Sequence, residues 1–319
     1  MVDLDKNLKK AFILGCDGQD GRLLSKLLRQ KSYEVIGLSR AKESINLELS
    51  RYISFDLLED SFHLIEDFIR LEKPDEIYYF AAYHKSAQES DISSWEEAEN
   101  SARINYLAFI KILGICEHYS PLSRILYTSS SLIYSNLGIE IQDENSNFAP
   151  NCLYSLNKVA SMEAANWFKR TKNLFISVAI MYNHESALRS DKFLSKKIIN
   201  QVKQYLSGDL SEIQVGDLNA ITDWGYALDY VEACWHILQQ ENSGSYIVSS
   251  GVSRTVRDWF TCLEEIVGQT LLNRVKEDKS LLLRSKPALI GDNRKLLDSG
   301  WDPAHSFFDM VRKIYFEEI

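Results

Sequence analysis

Lys10-Ala-Phe-Ile-Leu-Gly-Cys-Asp-Gly-Gln-Asp-Gly-Arg-Leu-Leu-Ser-Lys-Leu-Leu28 is the stretch that decides the fold class. It begins as an apolar run typical of a buried strand and ends with leucines at helical spacing. Gly15, Gly18 and Gly21 lie between the two, with Gln19 and Asp20 in the same turn. Glycines allow the backbone to approach a pyrophosphate, which then lies at the positive N terminus of the helix. The order predicts a dinucleotide site; three glycines in a loop by chance are the alternative.

The next apolar run, residues 33–38, predicts a second strand that ends at Ser39 and Arg40. In an NAD site, an acidic side chain about 20 residues beyond the glycines binds the ribose hydroxyls. A serine followed by an arginine suits the 2′-phosphate of NADP instead, because an acid would repel that phosphate. The pattern favours NADP over NAD as the cofactor, and a surface arginine after a strand is the alternative.

Strands and helices continue to alternate beyond Arg40, which predicts an α/β fold with a doubly wound parallel (Rossmann) sheet. Asp56 at the end of the third strand is a candidate for hydrogen-bonding adenine, with Leu57 beside it. Ala81 and Ala82 at the end of the fourth are small enough to let the cofactor pass close to the backbone. The further predicted strands are residues 52–56, 76–82, 124–128 and 174–182, and the predicted helices are residues 101–117 and 154–172.

Tyr154 and Lys158 begin the helix predicted over residues 154–172 and share one of its faces. A cation near a tyrosine hydroxyl favours the phenolate, so the pair is a candidate proton shuttle for hydride transfer. The pattern alone is weak, because two common residues at helical spacing are usually only a solvated face. Its position after a strand that runs into residues 129–131, all serine, makes a catalytic role the stronger interpretation.

The composition excludes several classes of protein. The 319 residues carry a net charge of -9 without a basic block, which argues against a nucleic-acid or anionic-membrane partner. The five cysteines have no C-x-x-C pair and no metal-ligand spacing, so we expect reduced thiols, no metal and a cytoplasmic location. No apolar run reaches the roughly 18 residues that a membrane span requires.

The alternation becomes less regular after Asn183, which predicts a second, smaller α/β lobe built from discontinuous segments. Residues 1–182 are the predicted dinucleotide-binding domain, rejoined by residues of about 223–251. Residues 183–222 and 252–319 are the predicted substrate lobe. The elements predicted beyond Asn183 are helices over residues 192–206, 230–239, 259–267 and 307–315 and a strand over residues 245–249 that rejoins the main sheet.

Four motifs together resemble the extended short-chain dehydrogenase/reductase family and, within it, the GDP-mannose 4,6-dehydratase branch. They are Gly15-x-x-Gly18-Gln19-Asp20-Gly21, Tyr154-x-x-x-Lys158, Asn183-His184-Glu185-Ser186 and Asp223-Trp-Gly-Tyr-Ala-Leu-Asp-Tyr-Val231. The resemblance covers nearly the whole chain, and the last two motifs are the more specific ones. It implies an enzyme acting on a nucleotide sugar, with subunits paired through the helices that carry Asn105 and Tyr154 as a homodimer or homotetramer.

The resemblance also implies roles for individual residues. Tyr154 is the acid/base residue at the C4 oxygen of the sugar, and Ser130 hydrogen-bonds the same oxygen. Lys158 holds the nicotinamide ribose and lowers the pKa of the tyrosine. For His184, a loop or capping role is an equally good alternative to substrate contact. The substrate-binding residues that it implies are Asn183, Lys197 and Arg284, and for Lys197 a solvated helix face is the alternative.

Three positions depart from the branch that the chain resembles. Leu132 stands where the dehydratases have the glutamate that removes the C5 proton, and an aliphatic side chain cannot accept a proton. Thr222 replaces an arginine that helps to hold the sugar-nucleotide diphosphate. Asp17 replaces a threonine in the glycine turn, where a carboxylate is unfavourable for a pyrophosphate unless it points away or caps the helix.

The first hypothesis for function is therefore an NADP-dependent oxidoreductase acting at C4 of a nucleotide-linked sugar. A 4-keto-6-deoxy sugar reductase of glycan biosynthesis is its simplest form. The alternative is a 4,6-dehydratase or 4-epimerase, in which the cofactor is recycled. A non-catalytic NADP-binding protein is a third possibility, although such a protein has no need of a tyrosine, a lysine and a serine arranged for proton transfer.

Overall fold

The computed structural model describes residues 8–83, 94–134, 140–281 and 288–319. The strands in these ranges are β1 Lys10–Leu14, β2 Glu34–Ser39, β3 Arg51–Ser54, β4 Glu76–Tyr79, β5 Arg124–Ser130, β6 Glu140–Gln142, β7 Phe175–Met181, β8 Asn183–Glu185, β9 Ile213–Val215, β10 Ile221–Tyr226, β11 Ser245–Val248, β12 Ser253–Thr255, β13 Val275–Glu277 and β14 Leu289–Gly291. The helices are α1 Gln19–Gln30, α2 His63–Glu72, α3 Ser94–Ala102, α4 Ala108–Tyr119, α5 Leu153–Lys172, α6 Leu194–Ser207, α7 Ala227–Gln239, α8 Val256–Val267, α9 Arg294–Asp298 and α10 Phe307–Tyr315. None of the helices in these ranges has the length and apolar content that a bilayer span needs.

Seven strands form one parallel sheet in the order β11-β7-β5-β4-β1-β2-β3. The predicted apolar runs become its strands because the middle of the sheet is covered by helices; the side chains of β1 and β4 are almost fully buried. The direction of the strand order reverses between β1 and β4. Ligands of open parallel sheets bind at the carboxyl ends of the strands near such a reversal. The predicted doubly wound α/β fold is confirmed.

One predicted helix differs from the structure in an informative way. The single helix expected over residues 101–117 is divided into α3 and α4 by a π turn, Arg103–Leu107. At this turn the buried backbone carbonyl of Asn105 accepts hydrogen bonds from the hydroxyls of Tyr127 at 2.8 Å and Ser161 at 2.7 Å. Both donors are distant in the sequence, so no local periodicity predicts these bonds.

A second apolar core lies outside the main sheet. It is formed by α6, α8 and α10 together with β9 and β10, and the side chains of Trp259 and Phe260 are completely buried in it. β10 belongs to a separate three-stranded sheet of order β12-β10-β8. β11, as expected, pairs with β7 and so returns the chain to the main sheet.

The C-terminal segment contributes to both cores. Met310, Val311 and Ile314 of α10 are buried in the second core, whereas Leu296 and Trp301 are buried in the core of the main sheet. Part of the predicted lobe of residues 252–319 therefore packs in the core of the main sheet. The predicted domain boundaries themselves remain a proposal.

Candidate active site

The turn between β1 and α1 has no room for a side chain at Gly15 or at Gly21. Gly15 has a φ of +91°, and a Cβ atom there would lie 2.7 Å from the backbone nitrogen of Ala81. A Cβ atom at Gly21 would lie 2.7 Å from the Cα of Cys16 and would overlap the carbonyl oxygen of Gly15. Glycine backbone without side chains therefore lies at the N terminus of α1, which begins after Gly18. This geometry fits the pyrophosphate of a dinucleotide, which needs close backbone contact and a positive helix end.

The other predicted cofactor residues lie along the same edge of the sheet, with one qualification. Ala81 and Ala82 follow β4, the neighbour of β1. Asp56 follows β3 and accepts a hydrogen bond from the backbone nitrogen of Leu58 at 3.0 Å. The side chain of Leu57 is only 7% exposed and packs in the main core. Leu57 can therefore offer a cofactor its backbone but not its side chain.

Ser39 ends β2 beside the glycine turn, and Arg40, which follows it, is exposed. The hydroxyl of Ser39 donates to the carboxylate of Asp17 at 2.5 Å. Asp17 also accepts a hydrogen bond from the backbone nitrogen of Ile45 at 3.2 Å, and it makes no capping bond to α1. Its carboxylate is thus directed to the segment after β2 and not to the helix end.

Ser130, Tyr154 and Lys158 converge where β5 ends and α5 begins. The hydroxyl of Tyr154 is hydrogen-bonded to the side chain of Ser130, the last residue of β5. The buried ammonium of Lys158 lies 5.5 Å from the centre of the Tyr154 ring and donates to the carbonyl oxygen of Thr128 at 2.7 Å. Two hydroxyls and an amine on this edge of the sheet can hold and exchange a proton.

Burial is the main influence on the ionisation of this group. Burial raises the pKa of Tyr154 to about 12, although its hydrogen bond to Ser130 and the charge of Arg189 act in the opposite direction. Burial also lowers the pKa of Lys158 to about 7. Desolvation disfavours the charged form of both residues, and Lys158 gives its hydrogen bond to a backbone carbonyl. The lowering of the tyrosine pKa by Lys158 that the resemblance implies stays a prediction.

Leu132 lies in the short helical turn Ser131–Ile133 that follows Ser130. Its backbone nitrogen donates to the Ser130 hydroxyl at 3.3 Å, and its half-buried side chain packs against the main core. Two carboxylates that follow in the sequence are engaged elsewhere. Asp143 accepts a hydrogen bond from the hydroxyl of Ser146 at 2.9 Å, and Glu144 accepts one from the backbone nitrogen of Ile247 at 2.8 Å. The side chain of Glu140 lies outside the described residues. Neither Asp143 nor Glu144 replaces the missing base.

His184 lies in β8 and is therefore not a loop residue. Its Nδ1 is 2.7 Å from the carbonyl oxygen of Tyr182, and its Nε2 is 3.0 Å from the carboxylate of Asp20. Both nitrogens face acceptors, so both contacts are hydrogen bonds only when the imidazole carries two protons. Burial opposes both charges, yet their mutual attraction raises the pKa of His184 and lowers that of Asp20. Gln19 adds a bond from its side-chain nitrogen to the His184 carbonyl oxygen at 3.3 Å.

Arg189 is a residue of the site that sequence reasoning missed. Its Nε lies 3.3 Å from the carboxylate of Glu185, and its guanidinium lies 3.5 Å from the centre of the Phe193 ring. Its charge acts on the pKa values of both Tyr154 and Asp20. The only signal in the sequence was its closeness to the Asn183-His184-Glu185-Ser186 motif, since no helical or strand period links it to Tyr154.

Two of the three predicted substrate residues lie on elements outside the seven-stranded sheet. Asn183 is exposed on β8, and Lys197 is half-buried on α6. Arg284 lies outside the described residues. Thr222 of β10 stands directly opposite Arg254 of β12, so an arginine is present across the strand pair from the position that lacks one.

Comparison with known protein families identifies relatives along nearly the whole chain. The family model described as GDP-mannose 4,6 dehydratase matches residues 12–314. A GDP-mannose 4,6-dehydratase of Sordaria araneosa is 26% identical over 98% of this chain, which spans 61% of that relative's length. GDP-mannose 4,6 dehydratase 1 of Arabidopsis thaliana is 28% identical over 99% of this chain and 91% of its own.

Solved structures share the fold at lower identity. A UDP-N-acetylglucosamine 4-epimerase from Methanobrevibacter ruminantium has a TM-score of 0.81 at 17% identity, covering 97% of this chain and 98% of its own. A dTDP-glucose 4,6-dehydratase from Bacillus anthracis, in complex with NAD, has a TM-score of 0.79 at 17% identity, covering 97% of this chain and 96% of its own. RMD from Pseudomonas aeruginosa, complexed with NADPH, has a TM-score of 0.78 at 20% identity, covering 97% and 98%.

Proposed function

The chain belongs to the GDP-mannose 4,6-dehydratase family of extended short-chain dehydrogenases/reductases, and from this membership we propose that it oxidises and re-reduces C4 of a nucleotide-linked sugar. A bound nicotinamide dinucleotide would take up and return the hydride. The family favours this cofactor-recycling chemistry over the net C4 reduction that ranked first from the sequence. Among the recycling reactions, we propose 4-epimerisation, which requires proton and hydride transfer at C4 only.

The observation that carries this proposal is a pair of hydroxyls beside which position 132 supplies no carboxylate. Tyr154 is bonded to Ser130, while Leu132 occupies the place of a C5 base and packs on the main core. In the proposed reaction, Tyr154 exchanges a proton with the C4 hydroxyl and Ser130 donates to the same oxygen. Water elimination needs removal of a C5 proton, for which Leu132 offers no acceptor.

Family membership makes 4,6-dehydration the second candidate. The matching relatives carry that activity in their names. A dehydratase without a carboxylate at position 132 would need a base from another part of the sequence. The residues proposed to bind the nucleotide sugar, Asn183, Lys197 and Arg284, are common to both candidates and do not discriminate between them.

The cofactor is proposed to be a nicotinamide dinucleotide held by the glycine turn. From the sequence alone, Ser39 and Arg40 favour NADP. Similar folds have been solved with NAD and with NADPH, so the family fold alone does not decide between the two. The bonding of Asp17 bears on this choice and is considered below.

We also propose a cytoplasmic homodimer or homotetramer that serves glycan biosynthesis. The five cysteines are free thiols, which is usual in a reducing compartment. Leu156 and Trp167 on α5 and Leu107 beside α4 expose about half of their surface, which supports pairing of subunits through these helices.

The experiment incubates the purified chain with NAD⁺ or NADP⁺ and a panel of GDP-, UDP-, CDP- and dTDP-hexoses. We expect a product of unchanged mass with inverted C4 configuration by NMR and no net change in reduced cofactor. Tyr154→Phe should abolish turnover, because the phenol proton is removed while the ring remains.

Other outcomes separate the alternatives. Loss of water from the sugar would replace epimerisation by 4,6-dehydration. Stoichiometric oxidation of NADPH with a 4-keto sugar nucleotide would restore the C4 reductase. Absence of turnover with every hexose and every 4-keto sugar would contradict catalysis at C4.

A further inference from the structure

Asp17 is held in the part of the dinucleotide site where the adenosine ribose is usually selected. The backbone nitrogens of Gly15 and Cys16 donate to the carbonyl oxygen of Leu38 at 2.8 and 3.2 Å. These bonds fix the glycine turn against the end of β2. They bring Asp17 beside Ser39, the residue at the position where NAD-binding proteins carry their ribose-binding acid.

The hydroxyl of Ser39 is fully used by protein partners. It donates its single proton to Asp17 at 2.5 Å, and it accepts from the backbone nitrogen of Ala41 at 3.3 Å. It is also 2.9 Å from the hydroxyl of Tyr52. A serine hydroxyl has one proton to donate. Ser39 therefore has none left for a 2′-phosphate, which accepts hydrogen bonds and cannot donate them when fully ionised.

The carboxylate of Asp17 retains capacity to bind a donor. It accepts from Ser39, from the hydroxyl of Ser44 and from the backbone nitrogen of Ile45 at 3.2 Å. A carboxylate offers about four acceptor positions, so one remains for a ribose hydroxyl. A 2′-phosphate at the same place would be repelled by the carboxylate. The exposed cation Arg40 does not pair with Asp17 in the structure.

We infer that Asp17 supplies, from within the glycine turn, the acidic group that the end of β2 lacks, and that it makes the enzyme select NAD over NADP. This inference corrects the preference that Ser39 and Arg40 suggested from the sequence. It rests on the proposed function only in requiring that the glycine turn bind a nicotinamide dinucleotide. It is independent of the sugar and of the reaction at C4.

The test measures dissociation constants of NADH and NADPH by calorimetry on the full chain freed of bound dinucleotide. The wild type should bind NADH at least about tenfold more tightly than NADPH. Asp17→Asn keeps the shape but removes the charge, and it should reduce this ratio at least about fivefold, mainly by strengthening NADPH binding. Asp17→Thr, with the residue expected at this position from the resemblance, should shift the ratio in the same direction.

Ser44→Ala is the matched control, because it removes one hydrogen bond from the same carboxylate but leaves the charge. The ratio of its NADPH and NADH dissociation constants should stay close to that of the wild type. Tighter NADPH binding by the wild type, or an unchanged ratio in both Asp17 variants, would overturn the inference alone. Failure of the wild type to bind either dinucleotide would overturn it together with the proposed cofactor.

Discussion

Gly21 shows, at the scale of single residues, how strictly the turn before α1 selects glycine. A Cβ atom there has the Cα of Cys16 at 2.7 Å and the Gly15 carbonyl oxygen within overlap distance, and both are backbone atoms that cannot rotate away. Gly18, three residues earlier, differs, because the nearest atom to its Cβ position is the Gly15 carbonyl oxygen at 3.4 Å. The two glycines look alike in the sequence, and only packing distinguishes them.

Gly21→Ala should therefore lower the free energy of unfolding by about 2 kcal/mol, a typical cost of overpacking. Gly18→Ala should lower it by no more than about 1 kcal/mol, because alanine is a poorer N-cap than glycine but its Cβ meets no close contact there. Urea unfolding of both variants, followed by circular dichroism, measures the two costs. Equal stability of the two variants would contradict the geometry of the turn.

At the scale of elements, the contact between Asp20 and His184 connects the first turn of α1 to β8. The two elements are far apart in the sequence and meet because β8 follows β7, whose carboxyl end lies on the same side of the sheet as that of β1. The imidazole needs both protons to satisfy the Tyr182 carbonyl and the Asp20 carboxylate. The strength of the connection therefore depends on pH.

Asp20→Asn should be more destabilising at pH 6 than at pH 9. The pKa of His184 is raised, so its contribution is fully present below the unfolded value of 6.5 and is lost as the pH rises through the folded value. The pKa of Asp20 is lowered, so its contribution is lost only in acid, as the pH falls below the unfolded value of 3.8. We expect a loss of about 2 kcal/mol at pH 6, the size of a hydrogen bond between charged groups.

The measurement is denaturant unfolding of wild type and variant at both pH values. Asp17→Asn is the matched control, because its carboxylate in the same turn is bonded to hydroxyls and a backbone nitrogen and not to an imidazole. The decrease in the free energy of unfolding that Asp17→Asn causes should be the same at pH 6 and pH 9. A constant cost for Asp20→Asn would show that the imidazolium pair does not form.

For the whole molecule, Asp223 holds the two cores together. It lies on β10, between residues that pack in the second core, and its carboxylate is completely buried. It accepts hydrogen bonds from the backbone nitrogens of Ser250, Gly251 and Gly291 at 2.9, 3.1 and 3.2 Å and from the hydroxyl of Ser250 at 2.6 Å. The segment after β11 and the end of β14 are thus fixed to β10 by one side chain.

Asp223→Asn should lower the free energy of unfolding by about 3 kcal/mol or more. The amide nitrogen of asparagine would face the backbone donors that now bind a carboxylate oxygen, so buried donors would lose their acceptor. Thermal and urea unfolding measure the effect. Asp67→Asn, which alters an exposed ion pair with Arg70, should leave the unfolding midpoint unchanged. A similarly small effect at position 223 would contradict the proposed role.

The sequence by itself determined the fold class, the glycine turn and the positions of Tyr154 and Lys158, because apolar periodicity and glycine spacing are local properties of the chain. Only the tertiary structure decided which polar and charged side chains contact one another. Asp17 pairs with Ser39, Asp20 pairs with His184, and Arg189 acts on Tyr154 because the parallel sheet gathers the carboxyl ends of separate strands at one edge. The raised pKa of Tyr154 has the same origin, since burial is a property of the assembled site and not of any segment.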